Sequence, residues 1–390
     1  MGHTPRSAVW GRAYERHMAP TIFDLRNADD ARDVIHRAVQ ALVEGGIVAF
    51  PTETVYGLAV SALCEEAVDR LIHLKGRPEG KPLAVAVKSA DDALDYVPDM
   101  SPLARRLARR CWPGPVTLVL DGTHPDSLLT QLPPISRAAI MPEGTVGLRV
   151  PAHSAIIEVM RLLAGPLVLT SANAHGQPEA VNARQIADTF GDQIQMIVDD
   201  GPCRYGQAST VVQVTGNDLK VLRAGVVSEQ TLRRLCSMMI LFVCTGNTCR
   251  SPMAETICRQ MLAERLNCRP EELEDRGIVV GSAGIAAMPG GRPTPEAVEV
   301  MREENLDLSR HESQPLTEPL VQHADFVITM TRSHKQAILA EWPSAASRTH
   351  LLSIDGMDVA DPIGGPTEMY RRCAAQIRES LAAWIDKFVA

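Results

Sequence analysis

The stretch from Val243 to Ser251, with the sequence VCTGNTCRS, constrains the fold of this chain more than any other. The apolar run Met239–Phe242 precedes it and predicts a buried strand, and a helical pattern begins near Pro252. A loop between a strand and a helix N-terminus presents unpaired N–H groups, and the helix dipole adds to their attraction for an anion. This part of the chain is therefore expected to fold as strand, anion-binding loop and helix.

The residue types in this loop predict phosphoryl chemistry. Cys244 would lie at the floor of the loop, where positive potential favours its nucleophilic thiolate and Ser251 could donate a hydrogen bond. Arg250 offers a planar fork for two phosphate oxygens, and Gly246 is expected to let the backbone turn tightly beside the phosphate. The site would attack phosphorus in line and form a thiophosphate intermediate; the remaining loop members are Thr245, Asn247, Thr248 and Cys249.

A phosphatase of this kind also needs a general acid for the leaving group. Asp361, followed by Pro362, lies between the last predicted strand and the last predicted helix. Because the ends of parallel strands share one edge of a sheet, we expect Asp361 to reach Cys244. The alternatives are that Asp361 only forms a turn before proline, and that Cys244 is an ordinary buried strand cysteine.

Length and composition place these motifs in a larger framework. At 390 residues with 45% apolar content, the chain is long enough for two or three domains. We expect an unassigned extension over residues 1–20, a domain over 21–227, a linker over 228–238 and a second domain over 239–390. The net charge of −8 argues against a general nucleic-acid binder.

The cysteine pattern and the hydropathy bear on where the chain resides. Nine cysteines without a C-x-x-C pair indicate neither a zinc site nor a disulfide framework, so reduced thiols in the cytoplasm are expected. No run of 18 apolar residues occurs, so we expect no membrane span.

Two different sheets are predicted for the two regions. The second region alternates strands with helices, which predicts a doubly wound parallel sheet: strands 239–244, 278–283, 325–330 and 349–353, helices 252–265, 294–305, 332–341 and 366–389. The first region has β-rich runs separated by helical patterns and turn signals, which predicts an α/β domain with a mixed sheet: strands 47–50, 83–87, 116–120, 166–170 and 210–214.

On the C-x5-R-S loop and the late Asp-Pro, residues 239–389 resemble the low-molecular-weight protein-tyrosine phosphatases. The resemblance implies that Cys244 is the nucleophile, Arg250 the phosphate binder and Asp361 the general acid, acting on a phosphorylated protein without a cofactor. Asn247 and Ser282 match positions that hold the loop in shape.

Details of the sequence indicate a subfamily. Many tyrosine phosphatases have an aliphatic residue in place of Thr248, and this threonine, with the runs 315–318 and 330–336, resembles bacterial protein-arginine phosphatases. Ile363 replaces the usual aromatic residue after Asp361-Pro362, which further weakens the phosphotyrosine hypothesis. Phosphoarginine is therefore the favoured substrate. Arsenate reductases share the fold but need further downstream cysteines, and none occurs between Cys268 and Cys373.

Cys249 lies inside the same loop and admits two interpretations. It is either a small filler residue or the partner of a reversible disulfide that protects Cys244 from over-oxidation.

The first region carries its own cluster of polar residues at strand ends. Lys75, Arg77 and Lys81 place three cations within seven residues on a loop shaped by glycine and proline, where they could clamp a polyphosphate. Ser171 and Asn173 end another predicted strand. The alternative is a solvated charged face, and no Walker A motif is present.

Residues 30–226 resemble the YrdC-like threonylcarbamoyl-AMP synthases. The matching motifs cover the whole region in order: Pro51–Leu58, Lys75–Pro78, Lys81–Leu83, Pro113–Thr117, Gly147–Pro151, Thr170–Asn173, Ser209–Val212 and Leu222–Gly225. The resemblance implies condensation of L-threonine, bicarbonate and ATP, with Mg²⁺ on the polyphosphate, into threonylcarbamoyl-adenylate and pyrophosphate. The product would supply the threonylcarbamoyl group of modified adenosine 37 in tRNA.

The same resemblance implies roles for single residues. Lys75, Arg77 and Lys81 would bind phosphates and carboxylate, Ser171 and Asn173 the nucleotide, and Thr52 the threonine. The cleft would also be lined by Arg149, Ser209 and Arg223.

The sequence thus predicts a bifunctional enzyme with no protein-bound metal. The alternative is an RNA- or nucleotide-binding module that regulates the attached phosphatase, since some relatives of this fold bind double-stranded RNA. RNA or the tRNA-modification machinery are possible partners, and no membrane partner is expected.

Overall fold

The computed structural model describes residues 20–78 and 80–389. Apart from Pro20, the extension predicted over residues 1–20 lies outside the described residues. The chain divides between Ser228 and Glu229 into two compact units. The segment 229–236, which the sequence places in a linker, is a helix with a fully buried Leu232 and is part of the second unit.

The first unit is built on a ten-stranded sheet. Its elements, in chain order, are β1 (Thr21–Asp24), α1 (Ala31–Val43), β2 (Val48–Phe50), β3 (Gly57–Ser61), α2 (Glu65–Lys75), β4 (Ala84–Ala86), α3 (Ala93–Tyr96), α4 (Pro102–Cys111), β5 (Val116–Asp121), α5 (Pro134–Ile140), β6 (Thr145–Arg149), α6 (Ser154–Leu162), β7 (Leu167–Ser171), α7 (Ala183–Phe190), β8 (Met196–Asp199), β9 (Thr210–Thr215) and β10 (Asp218–Arg223).

The strand order of this sheet is β1-β8-β2-β3-β7-β4-β6-β5-β9-β10. The sheet contains parallel pairs, such as β4 with β6, and antiparallel pairs, such as β3 with β7, so the predicted mixed sheet is confirmed. All five predicted strands are present to within one residue at each end. Five further strands were not predicted. The edge strands β1 and β10 have few buried residues and so give a weak apolar pattern, and β3, β6 and β8 are only four or five residues long.

The second unit has a four-stranded sheet of order β12-β11-β13-β14. Its elements are α8 (Glu229–Cys236), β11 (Met238–Cys244), α9 (Arg250–Leu266), β12 (Ile278–Gly284), α10 (Pro295–Glu303), α11 (Glu318–His323), β13 (Phe326–Thr329), α12 (Arg332–Glu341), β14 (Thr349–Leu351) and α13 (Thr367–Val389). All pairs are parallel, which confirms the predicted doubly wound sheet. The predicted elements are present to within two residues at each end, and α11 was missed.

The central strand β11 is buried on both faces. Successive side chains of a strand point to opposite sides, so alternate residues of β11 enter different apolar clusters. Ile240, Phe242 and Cys244 belong to the apolar cluster that includes residues of α9, α10 and α13. Leu241 and Val243 belong to the cluster on the other face. The strand thus carries Cys244 to the carboxyl edge of the sheet, on the side where α9 packs.

None of the described helices is both long enough and apolar enough to cross a membrane.

Candidate active sites

The loop between β11 and α9 holds Cys244 in a buried position with two hydrogen-bonding groups on its sulfur. Cys244 is 2% exposed, its Sγ lies 3.0 Å from Ser251 Oγ, and the backbone N–H of Asn247 donates to it over 3.2 Å. The contact between Cys244 and Ser251 is therefore present, as the sequence predicts.

A hydrogen-bond chain behind the loop fixes the direction in which Ser251 donates. Asn247 Nδ2 donates to Ser251 Oγ (2.9 Å) and to Ser282 Oγ (2.8 Å), and Ser282 donates to Glu255 Oε2 (2.7 Å). Because Ser251 Oγ accepts from the amide, its own proton is free for Cys244 Sγ; its other acceptor, the Ala283 carbonyl, is more distant at 3.4 Å. Burial raises the pKa of Glu255, against the hydrogen bond from Ser282.

The tight turn of the loop lies at Asn247 and not at Gly246, which corrects the sequence prediction. Asn247 has a φ of +54°, in the left-handed region, where asparagine is among the tolerated residues. Gly246 is outside that region, and a Cβ there would meet only Thr248 Oγ1, at 3.5 Å. Asn247 is held in place by its side-chain bonds and by the Gln314 N–H, which donates to Asn247 Oδ1 over 2.9 Å.

The glycine that the loop does require is Gly284, at the end of β12. Gly284 is paired with Cys244 in the parallel register. A Cβ at Gly284 would lie 2.5 Å from the Thr245 carbonyl oxygen and 3.0 Å from the Asn247 nitrogen. The loop therefore packs directly on the backbone of β12, a contact that the sequence pattern alone did not indicate.

Asp361, which the sequence places near Cys244, contacts Arg250 of the same loop. Arg250 Nη2 pairs with Asp361 Oδ2, and Nη1 donates to the Val359 carbonyl over 3.3 Å. The guanidinium is buried, whereas the Asp361 side chain is 40% exposed. The predicted phosphate binder and the predicted general acid thus lie in contact, 111 residues apart in the chain.

One residue beside the loop was named in the sequence analysis only as part of a motif. His334, at the start of α12, has its Nε2 2.9 Å from Thr245 Oγ1 and its Nδ1 buried without a partner. Burial, together with the nearby charge of Arg250, lowers the pKa of His334 to about 4, against the opposing charges of Asp361 and Asp358. The imidazole is therefore neutral at neutral pH.

The remaining loop residues face different surroundings. Cys249 is 4% exposed, and its Sγ has polar neighbours in Thr294 Oγ1 (3.5 Å), Thr248 Oγ1 (3.6 Å) and the Tyr370 hydroxyl (4.0 Å). Thr248 is half-buried, and its carbonyl accepts from the Thr294 N–H over 3.0 Å. These contacts fit Cys249 as a packed thiol; the predicted disulfide with Cys244 stays a prediction.

A cavity of about 550 Å³ in the first unit brings together every site residue predicted there. All nine line it: Thr52, Lys75, Arg77, Lys81, Arg149, Ser171, Asn173, Ser209 and Arg223. They come from six different stretches of sequence, which the consecutive strands β3, β7, β4, β6, β5 and β9 of the sheet bring to one cavity. A solvated charged face would not gather these nine residues around one cavity.

Lys75 ties two parts of the cavity together. Its Nζ donates to the carbonyls of Ser171 (2.6 Å) and Asn173 (2.7 Å) and to Asn173 Oδ1 (2.9 Å). Burial, with the nearby positive charges of Arg77 and Lys81, lowers the pKa of Lys75 to about 8. The ammonium is thus held close to its titration point at the floor of a cationic cavity.

Two arginines shape the walls of the cavity. Arg77 Nε donates to the Lys81 carbonyl over 2.9 Å, so it organises the loop that also carries Lys81. Arg223 Nη2 donates to the carbonyl (2.8 Å) and hydroxyl (3.1 Å) of Ser209. Burial lowers the pKa of both guanidinium groups, and the charge of Arg223 adds to the effect on Arg77. Both remain cations, because their ordinary pKa is far above neutrality.

Arg149 lines the cavity, but its charge is already matched. Its Nη2 donates to Glu53 Oε1 (2.7 Å) and Thr54 Oγ1 (2.8 Å), within an ion pair whose side chains are 10% and 7% exposed. Glu53 Oε2 accepts from the Ala152 N–H as well. Arg149 therefore contributes less net positive charge to the cavity than the sequence suggested. Thr52 Oγ1 donates to the Val55 carbonyl over 2.7 Å and holds the turn after β2.

Glu179 is the only acidic side chain among the described residues that line the cavity, and it was not predicted from the sequence. Its charge acts on Lys75 and on Arg223. A single glutamate in a loop gives no sequence signal of its own. No group of three or more His, Cys, Asp or Glu residues suited to a metal ion occurs within residues 20–78 and 80–389.

Comparisons with known proteins separate the chain into the same two parts. A family model described as Telomere recombination, the Sua5–YciO–YrdC domain, matches residues 40–225. A model of the low molecular weight phosphotyrosine protein phosphatases matches residues 239–389. A putative threonylcarbamoyl-AMP synthase of Mycobacterium tuberculosis H37Rv is 35% identical over 210 residues, which cover 54% of this chain and 92% of that protein.

The threonylcarbamoyl-AMP synthase of Pyrococcus abyssi is 38% identical over 192 residues, 49% of this chain. The match spans only 54% of the length of that relative. The chain belongs to the Sua5–YciO–YrdC family through its first unit and carries a low-molecular-weight phosphatase domain in its second. The two relatives are named as synthases, and the second family model is one of phosphatases.

Among the solved structures, one shows likeness of fold to this chain and another is reported for its sequence identity. P. abyssi Sua5, crystallised with L-threonine, has a TM-score of 0.50 at 24% identity, covering 67% of this chain and 92% of that chain. The YwlE arginine phosphatase of Geobacillus stearothermophilus is 33% identical over 39% of this chain and 93% of that chain, with a TM-score of 0.34.

Proposed function

We propose that this chain is a bifunctional enzyme, a threonylcarbamoyl-AMP synthase joined to a cysteine-dependent protein phosphatase that prefers phosphoarginine. The synthase proposal rests on the convergence of all nine predicted residues on one cavity, together with the relatives named as synthases. Mg²⁺ enters as the counter-ion of ATP. A cytoplasmic location and RNA or tRNA-modification partners belong to the same proposal.

In the synthase reaction, L-threonine, bicarbonate and ATP give threonylcarbamoyl-adenylate, pyrophosphate and water. A carbamate oxygen of N-carboxythreonine attacks the α-phosphorus, and the bond to the β-phosphate oxygen breaks. Lys75, Arg77 and Arg223 offset the charge that gathers on the polyphosphate as this bond breaks. Cations fixed in a partly buried cavity stabilise that charge better than water does.

Charge complementarity assigns a role to Glu179. Among the organic substrates, the α-ammonium of threonine is the only cationic group, and Glu179 is the only carboxylate among the described lining residues. The ammonium must lose a proton before its nitrogen attacks carbon. Glu179 is therefore proposed to bind this ammonium and receive that proton.

The test of the synthase is pyrophosphate release from ATP that depends on both threonine and bicarbonate. Glu179→Gln is expected to raise the KM for threonine about tenfold, the usual value of one charge-assisted hydrogen bond, and to leave the KM for ATP unchanged or lower. Glu143→Gln, at an exposed position, is the matched control. ATP turnover without threonine dependence, or tight RNA binding without turnover, would support the regulatory alternative instead.

In the phosphatase reaction, Cys244 Sγ attacks phosphorus while the bond from phosphorus to the leaving nitrogen or oxygen breaks. Asp361 donates a proton to the leaving group, Arg250 binds the phosphoryl oxygens, and water then hydrolyses the thiophosphate. The contact of Arg250 with Asp361 and the two donors on Cys244 Sγ support these roles.

The preference for phosphoarginine rests on the character of the rim around the loop. All six aromatic residues of the second unit are buried or partly buried: Phe242, Phe326, Trp342, Tyr370, Trp384 and Phe388. The large apolar side chains exposed near the loop are not aromatic: Ile285 and Met288 lie in the segment whose backbone bonds to the loop, and the Ile363 N–H donates to Asp361 Oδ1. A rim without an aromatic face lacks the stacking partner that a phosphotyrosine ring would use.

Thr248 adds a polar group within the loop, where a guanidinium beside the phosphorus would need a hydrogen-bond acceptor. Comparison of kcat/KM on matched phosphoarginine and phosphotyrosine peptides tests the preference. Thr248→Ile is expected to shift the ratio toward phosphotyrosine by about tenfold, through loss of one hydrogen bond. A strong phosphotyrosine preference of the unaltered protein would refute the arginine proposal and leave the phosphatase proposal intact.

A further inference from the structure

His334 lies against the catalytic loop without a role in the chemistry described so far. It is 4% exposed, and its Nε2 is 2.9 Å from Thr245 Oγ1. Thr245 directly follows the nucleophile. The same hydroxyl oxygen lies 3.5 Å from Arg250 Nη2, the nitrogen that also pairs with Asp361. The four side chains form one connected row from α12 to the proposed general acid.

The position of Thr245 explains why this row needs an anchor. Thr245 is an exposed residue at the open side of the loop, and a threonine hydroxyl on a free rotor would turn among several partners. Arg250 Nη2 has only donors, so Thr245 Oγ1 must accept in that contact. A second partner on the hydroxyl limits its rotation, and His334 Nε2 is that partner.

We propose that His334 is a positioning residue of the phosphatase site, which fixes Thr245 so that the threonine hydroxyl holds Arg250 when Asp361 turns to the leaving group. Without the contact to Thr245 Oγ1, Asp361 Oδ2 would be the remaining side-chain acceptor for Arg250 Nη2. The inference rests on the proposed phosphatase function and adds a residue to its machinery.

Two features of His334 fit such a role. Its backbone N–H donates to Thr331 Oγ1 over 3.2 Å, so a helix cap fixes the first turn of α12 and the ring it carries. The ring is neutral at neutral pH, because the same buried position next to Arg250 disfavours a second cation. A neutral ring beside Arg250 positions the hydroxyl without repelling the substrate-binding guanidinium.

Two amides distinguish positioning from mere packing. His334→Gln places its terminal amide near the original Nε2 and can keep the bond to Thr245, whereas His334→Asn places its amide near Nδ1 and cannot. Gln336→Ala, exposed on the same helix, is the control. We expect His334→Asn to lose about tenfold in kcat/KM and in affinity for orthovanadate, and His334→Gln to stay within about threefold of the unaltered protein.

Thr245→Val provides the second route. It should cost as much as His334→Asn, and the double variant should cost little more than either, because both changes break the same contact. Equal losses in His334→Gln and His334→Asn, additive losses in the double variant, or full activity of His334→Asn would each overturn the inference. Orthovanadate affinity is measured by calorimetry on the full chain, so it tests the row apart from turnover. Absence of phosphatase activity in the unaltered protein would refute the proposed function instead.

Discussion

Substitution of Gly284 by alanine is the most direct test of how the phosphate loop is supported. The added Cβ would lie 2.5 Å from the Thr245 carbonyl oxygen, 2.8 Å from Ala287 Cβ and 3.0 Å from the Asn247 nitrogen. Two of these atoms belong to the loop backbone and cannot rotate away as a side chain would. Since apolar carbon prefers separations near 3.5 Å, the loop would have to move by roughly half an ångström or more.

A shift of this size decides the expected magnitude. Catalytic groups must be held to about 0.5 Å, and a misplacement of about 1 Å can cost roughly 100-fold in rate. We expect Gly284→Ala to lower the phosphatase kcat/KM by 10- to 100-fold, equivalent to about 1.4–2.7 kcal/mol of transition-state stabilisation. Overpacking of this kind should also cost about 1–3 kcal/mol in the free energy of unfolding.

The same strand provides the control. Gly281 also lies on β12, and a Cβ there would meet no atom within 4 Å. Gly281→Ala should therefore keep its activity and its stability, with a gain of a few tenths of a kcal/mol from the less flexible unfolded chain. Phosphatase kinetics and thermal unfolding of the two variants are compared with the unaltered protein. If Gly284→Ala retains kcat/KM within about twofold, the loop does not depend on its contact with the β12 backbone.

Three further predictions follow from the hydrogen bonds and charges of the two sites. Glu255→Gln should lower the phosphatase kcat about threefold to tenfold with KM little changed. Without the carboxylate, the direction in which Ser282 and the Asn247 amide donate their hydrogen bonds is no longer fixed. An unchanged kcat would show that this hydrogen-bond chain does not support catalysis. ATP binding should take up close to one proton near pH 9 and almost none near pH 6.5. The pKa of Lys75, about 8, leaves this side chain mostly neutral at the higher pH, and the bound phosphates restore its charge. Calorimetry in buffers of different ionisation enthalpy measures the proton uptake, which Lys75→Met should abolish. As pH falls from about 6.5 to 4, the free energy of unfolding of the second unit should decrease by up to about 2–3 kcal/mol, because His334 is protonated over that range only in the unfolded state. Urea titrations at several pH values measure this decrease, and it should be smaller in His334→Gln.

The phosphatase site was predictable because its chemistry is local in sequence. The predicted nucleophile, the arginine and the serine lie within eight residues, and a parallel sheet brings the end of every strand to one edge, so Asp361 was expected near this loop; the structure has it in contact with Arg250. The supporting residues were harder to assign. Gly284 matters through the parallel register of β12 with β11, and His334 through the contact of α12 with the loop, neither of which leaves a pattern in the sequence.

The synthase cavity was predictable only in part. The cluster of Lys75, Arg77 and Lys81 is dense enough to be noticed in the sequence, and the structure places all three at one cavity. The neutralisation of Arg149 by Glu53 was not predictable, because the two residues lie 96 positions apart and meet only across the sheet. Glu179 escaped notice for the same reason: its importance comes from being an isolated negative charge among cations, which is a property of the assembled cavity.

The contact between Arg250 and Asp361 has a consequence for anion binding at the proposed phosphatase site. The carboxylate occupies the guanidinium that is proposed to bind phosphate, so we expect phosphate, vanadate or substrate to bind with an affinity reduced by the strength of that internal pair. Removal of the competitor should reveal the intrinsic affinity of the loop. Asp361→Asn is therefore expected to bind inorganic phosphate more tightly than the unaltered protein even as it hydrolyses substrate far more slowly, so that the acid which serves turnover also speeds the release of product.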